Sequence, residues 1–176
     1  MKLFFKLTIL IFSATATFAQ NAPKYSNEFL AIGVGGRALA MANTQVAISD
    51  DATAGYWNPA GLLNLKHKYA FSLMHASYFA GIANYDYASF ATPVDSKSHI
   101  GVSLIRFAVD DIPDTRFLFD ADGSLNYDNI RSFSASDYAL LLSYARRSLL
   151  IKGLRLGANF KIIHSNVGIF ADAWGF

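Results

Sequence analysis

Beyond Lys66 the chain alternates apolar and polar residues with a period of two, the pattern of strands that present two different faces. Tyr69, Phe71 and Leu73 fall on one face, with Ala70, Ser72 and Ala76 on the other. A second run, Tyr85 to Ala91, is aromatic and less regular, and Pro93-Val94-Asp95-Ser96-Lys97 reads as the turn that follows it. From His99 to Phe107, Ile100, Val102 and Leu104 oppose Gly101 and Ser103. The clearest strands come last. In Ser136 to Arg147 the residues Tyr138, Leu140, Leu142 and Tyr144 oppose Asp137, Ala139, Ser143 and Arg147, and in Leu154 to His164 the set Leu154, Leu156, Ala158, Phe160 and Ile162 opposes Arg155, Gly157, Asn159 and Lys161. About five strands are predicted. All four prolines fall outside them, as ladder hydrogen bonding requires.

The chain before Lys66 has another character. Gly35 to Leu62 is small and apolar, broken by glycine and by two helix-start patterns. Ser49-Asp50-Asp51 precedes Ala52-Thr53-Ala54, and Asn58 precedes Pro59, where a first-turn N–H has no intrahelical partner in any case. These predict two short helical turns in a compact plug over 20–65, ahead of a β-domain over 66–176. Residues 1–19 read as a cleaved secretory signal: Lys2 and Lys6 form the positive start, Leu7 to Phe12 the apolar centre and Thr17-Phe18-Ala19 the cleavage site.

The strand faces decide between a soluble sandwich and a membrane barrel. A sandwich packs its apolar face inward. An outer-membrane barrel turns that face to lipid, brackets it with aromatics and keeps the lumen small and polar. Tyr138 and Tyr144 bracket Leu140 and Leu142 in the second manner. With a plug at one end, the long segment Val109 to Ala135 falls at the other, while the connections at Pro93 and Arg146 to Gly153 are short. Composition agrees: 53% of residues are hydrophobic and 15% aromatic, with only 16% charged, against about 25% charged in soluble domains. No apolar run after the leader reaches the ~20 residues of a membrane helix. The absence of cysteine excludes disulfides and thiolate metal sites. Twelve of the thirteen acids are Asp, a residue of turns and caps, which argues against a helical protein. No basic cluster exceeds Arg146-Arg147, and no nucleic-acid partner is expected.

Gly36-Arg37-Ala38-Leu39-Ala40-Met41, Val46 to Ala54 and Tyr56-Trp57-Asn58-Pro59-Ala60-Gly61-Leu62 together resemble the N-terminal segment of the PorV/PorQ family of outer-membrane proteins. Those barrels are similar to the FadL fatty-acid transporters, whose hatch carries the same Asn-Pro-Ala turn. The likeness runs from about Glu28 to the end, and departs at Ala42-Asn43, where a pair of glycines is expected. It implies a FadL-like antiparallel transmembrane β-barrel of about 14 strands, of which this chain holds the plug and the first strands. A rival reading takes Phe170, Trp174 and Phe176 as the closing strand of a complete small protein. Asp172, which interrupts the apolar face, weighs against it. The resemblance also implies a non-enzymatic component of type IX secretion, a shuttle or attachment protein that meets secreted cargo and other secretion components at the outer-membrane lipid. The alternative it implies is a channel for hydrophobic small molecules, with the plug as gate.

Candidate chemistry is sparse, and no cofactor, metal or catalytic group is expected. His67, His75, His99 and His164 are dispersed. His75 lies two residues from Ser77, as in a lipase, without an evident third member or oxyanion site. Gly33-Val34-Gly35-Gly36 lacks the strand and spacing of a phosphate loop, and Asp120-Ala121-Asp122-Gly123 with Asn126 and Asp128 lacks the spacing and final Glu of a calcium loop. Asp50, Asp51, Trp57, Asn58, Pro59, Ala60 and Gly61 mark the plug turn. Arg155, Asn159 and Lys161 face the lumen, where pairing with Asp50 or Asp51 would hold the plug. Asp110, Asp111, Asp114, Asp120 and Asp122 make the long loop either a solvated segment or an external docking surface.

Overall fold

The computed structural model describes residues 27–176, so the leader over 1–19 lies outside the described residues. The fold is all-β. One antiparallel sheet is built from β1 (Ala70–Tyr78), β2 (Ala83–Pro93), β3 (Ser98–Asp114), β4 (Arg131–Arg147), β5 (Arg155–Val167) and β6 (Ala171–Gly175), ordered as they occur in the chain. Nearest-neighbour order is the meander of an up-and-down barrel wall. The sheet is open.

Register turns the alternating sequence into two faces. Pairing aligns Phe71, Phe90, Val102, Leu142 and Phe160 across five strands, and beside them Leu73, Ala88, Leu104, Leu140 and Ile162. This face is bare: Phe71 and Leu73 are 73% and 83% exposed. Tyr138 and Tyr144 border it, about 20 Å of strand apart, the scale of the ~25 Å apolar band of a membrane barrel. The opposite face carries Tyr85, Tyr87, Ile105, Ala139, Leu141 and Ile163, buried together with Phe29 and Val34 of the N-terminal segment. A second cluster joins Ala52, Ala54, Leu62 and Leu63 to Ala91 and Ala145. The core therefore lies between plug and sheet, inside the wall.

Three sequence expectations need correction, the first being that Pro93 and Pro113, read as outside the strands, end β2 and lie in β3 beyond its bulge, at strand ends where a missing N–H costs least. Six strands form among the described residues rather than five, because β6 pairs with β5 from Ile163↔Gly175 to Val167↔Ala171. Its alternation is too short and too polar to stand out alone; the neighbouring ladder and an Asp172–His164 contact at 3.0 Å supply what the pattern lacks. The long loop is also shorter than Val109 to Ala135. Across a bulge after Val109, where Asp111 adopts φ 56°, β3 and β4 resume pairing from Ile112↔Phe133 to Asp114↔Arg131. A bulge inserts an unpaired residue and so hides the continuing strand from a period-two reading.

The plug is made of short pieces: 3₁₀ turns at Glu28–Ala31 and Pro59–Asn64, and helices at Gly36–Ala40 and Ala54–Trp57. None is long enough to persist alone. Packing on the sheet holds them. Ala42 and Asn43, where the resemblance leads one to expect glycines, both have positive φ, 51° and 65°. The bend thus keeps a left-handed backbone that glycine would take without strain.

Candidate functional site

At the plug turn, Asn58 Oδ1 accepts from the Ala60 N–H at 3.2 Å and Pro59 occupies the first position of the following turn. Asn58 Nδ2 donates to the Val46 carbonyl at 3.0 Å, so one side chain both starts the turn and ties it to the preceding bend. Asp51 Oδ1 accepts from the Thr53 N–H at 2.8 Å and from Thr53 Oγ1 at 2.6 Å. The cap is thus an Asx turn one step ahead of the Ala54–Trp57 helix. Trp57 Nε1 donates to the Val34 carbonyl at 3.0 Å and Tyr56 Oη to the Leu30 carbonyl. Burial pushes the Tyr56 hydroxyl pKa up, keeping it a neutral donor. Gly61 abuts Ser49, whose carbonyl lies 2.7 Å from where a Cβ would stand.

Small residues on the sheet receive this turn. Ser143 Oγ and Asn159 Nδ2 both donate to the Gly55 carbonyl, at 3.2 and 2.7 Å, and Arg155 Nη1 donates to Asn64 Oδ1. Register places Arg155, Asn159 and Lys161 on the plug-bearing face. Their expected pairing with Asp50 or Asp51 is not what forms. Asp50 binds Arg37 at 3.0 Å and Lys66 at 3.4 Å, and the Arg37 hydrogen bond, aided by Lys66, holds its carboxyl below the usual range. Asp51 is spent on Thr53. Those partners lie within the plug or at its exit, nearer in the chain to the two aspartates than the cations of β5 are. Lys161 is exposed and forms no ion pair among the described residues.

The far hairpin holds the predicted docking aspartates, and the structure divides their work. Asp114 grips Arg116 with both oxygens, at 2.9 and 2.7 Å, and Asp110 lies 3.6 Å from Arg106. Asp111 sits at the bulge. Asp120 accepts from Asn126 Nδ2 and Asn129 Nδ2 at 3.0 and 2.9 Å, while Asp122 accepts from the Ser124 N–H and hydroxyl at 2.9 and 2.6 Å. These bonds shape the tip, and no three His, Cys, Asp or Glu side chains converge on a metal position among the described residues. Sequence reasoning missed the apolar part of the tip: Phe117, Phe119, Leu125 and Tyr127 are all more than half exposed. Arg116 lies 4.3 Å over the Phe170 ring, linking the tip to the β5–β6 connection.

The bare face also carries an unforeseen cross-strand row: His75, Asp86, Arg106, Tyr138, His164 and Trp174. His75 Nδ1 meets Asp86 at 2.7 Å, and the His164 and Trp174 rings stack 4.2 Å apart. Ser77 shares this face with His75, yet no hydrogen bond joins the two among the described residues. The row could be found only by register, since each strand contributes a single member.

The family model described as "Type IX secretion system protein PorV" matches residues 16–173. No curated protein and no solved structure matches the chain.

Proposed function

Since the chain belongs to the PorV family and is thus a type IX secretion-related outer-membrane component, we propose that it is a non-enzymatic barrel protein that binds secreted cargo or a partner component through its far hairpin. The exposed aromatics Phe117, Phe119 and Tyr127, set among Asp120, Asp122 and Asp128, carry this reading. Aromatic side chains framed by polar groups are the composition of protein-binding surfaces. In the proposed orientation the plug faces the periplasm and the hairpin the exterior. The wall is crossed by strands, with the bare apolar face against lipid.

The test is co-purification of the full-length protein with a secreted cargo domain, using Phe117→Ser/Phe119→Ser in the comparison. Capture by the native protein, weakened about tenfold or more in the variant, supports the proposal. Equal capture by both removes the hairpin from it. Absence of capture, together with loss of apolar-solute uptake on deletion of the gene, would replace it with the FadL-like channel.

A further inference from the structure

At the plug end of the sheet, the turn between β4 and β5 leaves Leu149, Leu150 and Ile151 at 65%, 95% and 60% exposure. Five cations surround it: Lys97, Arg146, Arg147, Lys152 and Arg155. None of them pairs with a carboxylate among the described residues, though Arg155 donates to Asn64 Oδ1 of the plug; by register Arg147 and Arg155 end the plug-bearing face and Arg146 ends the bare one. The acid at this corner, Asp95, accepts from the Lys97 backbone N–H at 2.6 Å. The Arg147 N–H donates to the Lys97 carbonyl at 2.9 Å and so fastens the β2–β3 and β4–β5 turns together. Between the turns lies a recess of about 510 Å³, lined by Lys97, Arg147, Lys152 and Arg155 with Leu149 and Leu150.

We infer that this corner binds the phosphate of an anionic phospholipid in the leaflet nearest the plug, with Leu149, Leu150 and Ile151 seated among the acyl chains. The inference rests on the membrane orientation proposed above and adds a lipid class to it. Charge supplies the first argument: unpaired cations beside a membrane are drawn to anionic headgroups, each worth about fivefold in affinity. The aliphatic turn supplies the second. A recess made for a free anion or an acidic peptide has no need of three exposed aliphatic side chains, whereas a lipid presents phosphate and hydrocarbon side by side. Position supplies the third. On the bare face Arg146 stands two residues past Tyr144, the border residue whose hydroxyl bonds Ser98 Oγ at 3.2 Å. A long cation just outside an aromatic border reaches headgroup level. The opposite end of the molecule is acidic, with Asp110, Asp111, Asp114, Asp120, Asp122 and Asp128, so the two ends distinguish leaflets by charge.

The experiment is competitive retention of phosphatidylglycerol and phosphatidylcholine with matched chains by the full-length protein, read by native mass spectrometry. Expected are about tenfold or greater retention of phosphatidylglycerol, loss of most of that preference in Arg147→Gln/Lys152→Gln with phosphatidylcholine retention unchanged, and reduced retention of both lipids in Leu150→Ser/Ile151→Ser. Raising salt on the native protein should erode the preference without any substitution. Equal retention of the two lipids by the native protein overturns the inference. So does displacement of phosphatidylglycerol by millimolar inorganic phosphate, the mark of a free-anion site, or by a polyglutamate peptide, the mark of an acidic protein partner. Incorporation into phosphatidylcholine nanodiscs separately tests the membrane reading, so failure of one is distinguishable from failure of the other.

Discussion

Gly157 on β5 lies flush against Ala60 of the plug, with no room between them for a side chain. A Cβ there would also stand 2.7 Å from the Pro59 carbonyl carbon and 2.9 Å from Ala60 Cα. These atoms are backbone, which cannot swing aside as a flexible side chain can. The missing side chain is what lets the Asn58-Pro59-Ala60 turn seat on the wall.

Gly157→Ala should therefore lift the turn. The strand keeps its ladder, because alanine fits extended backbone, while the plug loses close packing at a cost of about 1–3 kcal/mol. Limited proteolysis is expected to cut between Asn43 and Leu65 faster in the variant, with the strands still protected. Unchanged cleavage would show that the plug is held elsewhere.

Asn58→Ala removes the oxygen that accepts from Ala60 N–H and the amide that reaches Val46. Loss of a cap of this kind costs about 1 kcal/mol. Asn58→Asp keeps the acceptor and loses the Val46 bond, so its unfolding midpoint in denaturant should fall between those of the native protein and the alanine variant.

Ala42 holds a left-handed backbone, φ 51°, that costs a residue with a Cβ about 1 kcal/mol. Ala42→Gly should stabilise the bend by less than that, because glycine also gains entropy in the unfolded chain. An upward shift in denaturation midpoint is expected. A downward shift would mean that the alanine methyl makes a contact worth more than the strain.

Acid should loosen the plug through Asp50. Its folded pKa lies below the ordinary 3.8, chiefly through the Arg37 hydrogen bond. The stabilisation is thus present above about pH 4 and is lost as pH falls through the folded value. Proteolysis of the plug by an acid-active protease should quicken as pH drops below about 4 in the native protein. Asp50→Asn should be cut faster than the native protein at pH 6 and should lack the part of the acid response that Asp50 supplies. Parallel pH profiles in the two would assign the response to other carboxylates.

Alternation alone determined five of the strands and the division of their residues between two faces, because side chains on a strand point to opposite sides whatever the partner. It also determined the plug turn, since the roles of Asn58 and Pro59 are local to the backbone they cap. Tertiary structure decided the rest. β6 exists because β5 offers a ladder, β3 and β4 continue because pairing resumes beyond the bulge at Asp111, and Arg155 and Asn159 meet Asn64 and Gly55 rather than Asp50 or Asp51 because docking brings those groups within reach. The row from His75 to Trp174 and the basic corner at Lys97, Arg147 and Lys152 are likewise products of register and turn placement. The row draws on six strands and Lys97 meets Arg147 from a separate turn, and no local preference of one strand specifies what its neighbour will set beside it.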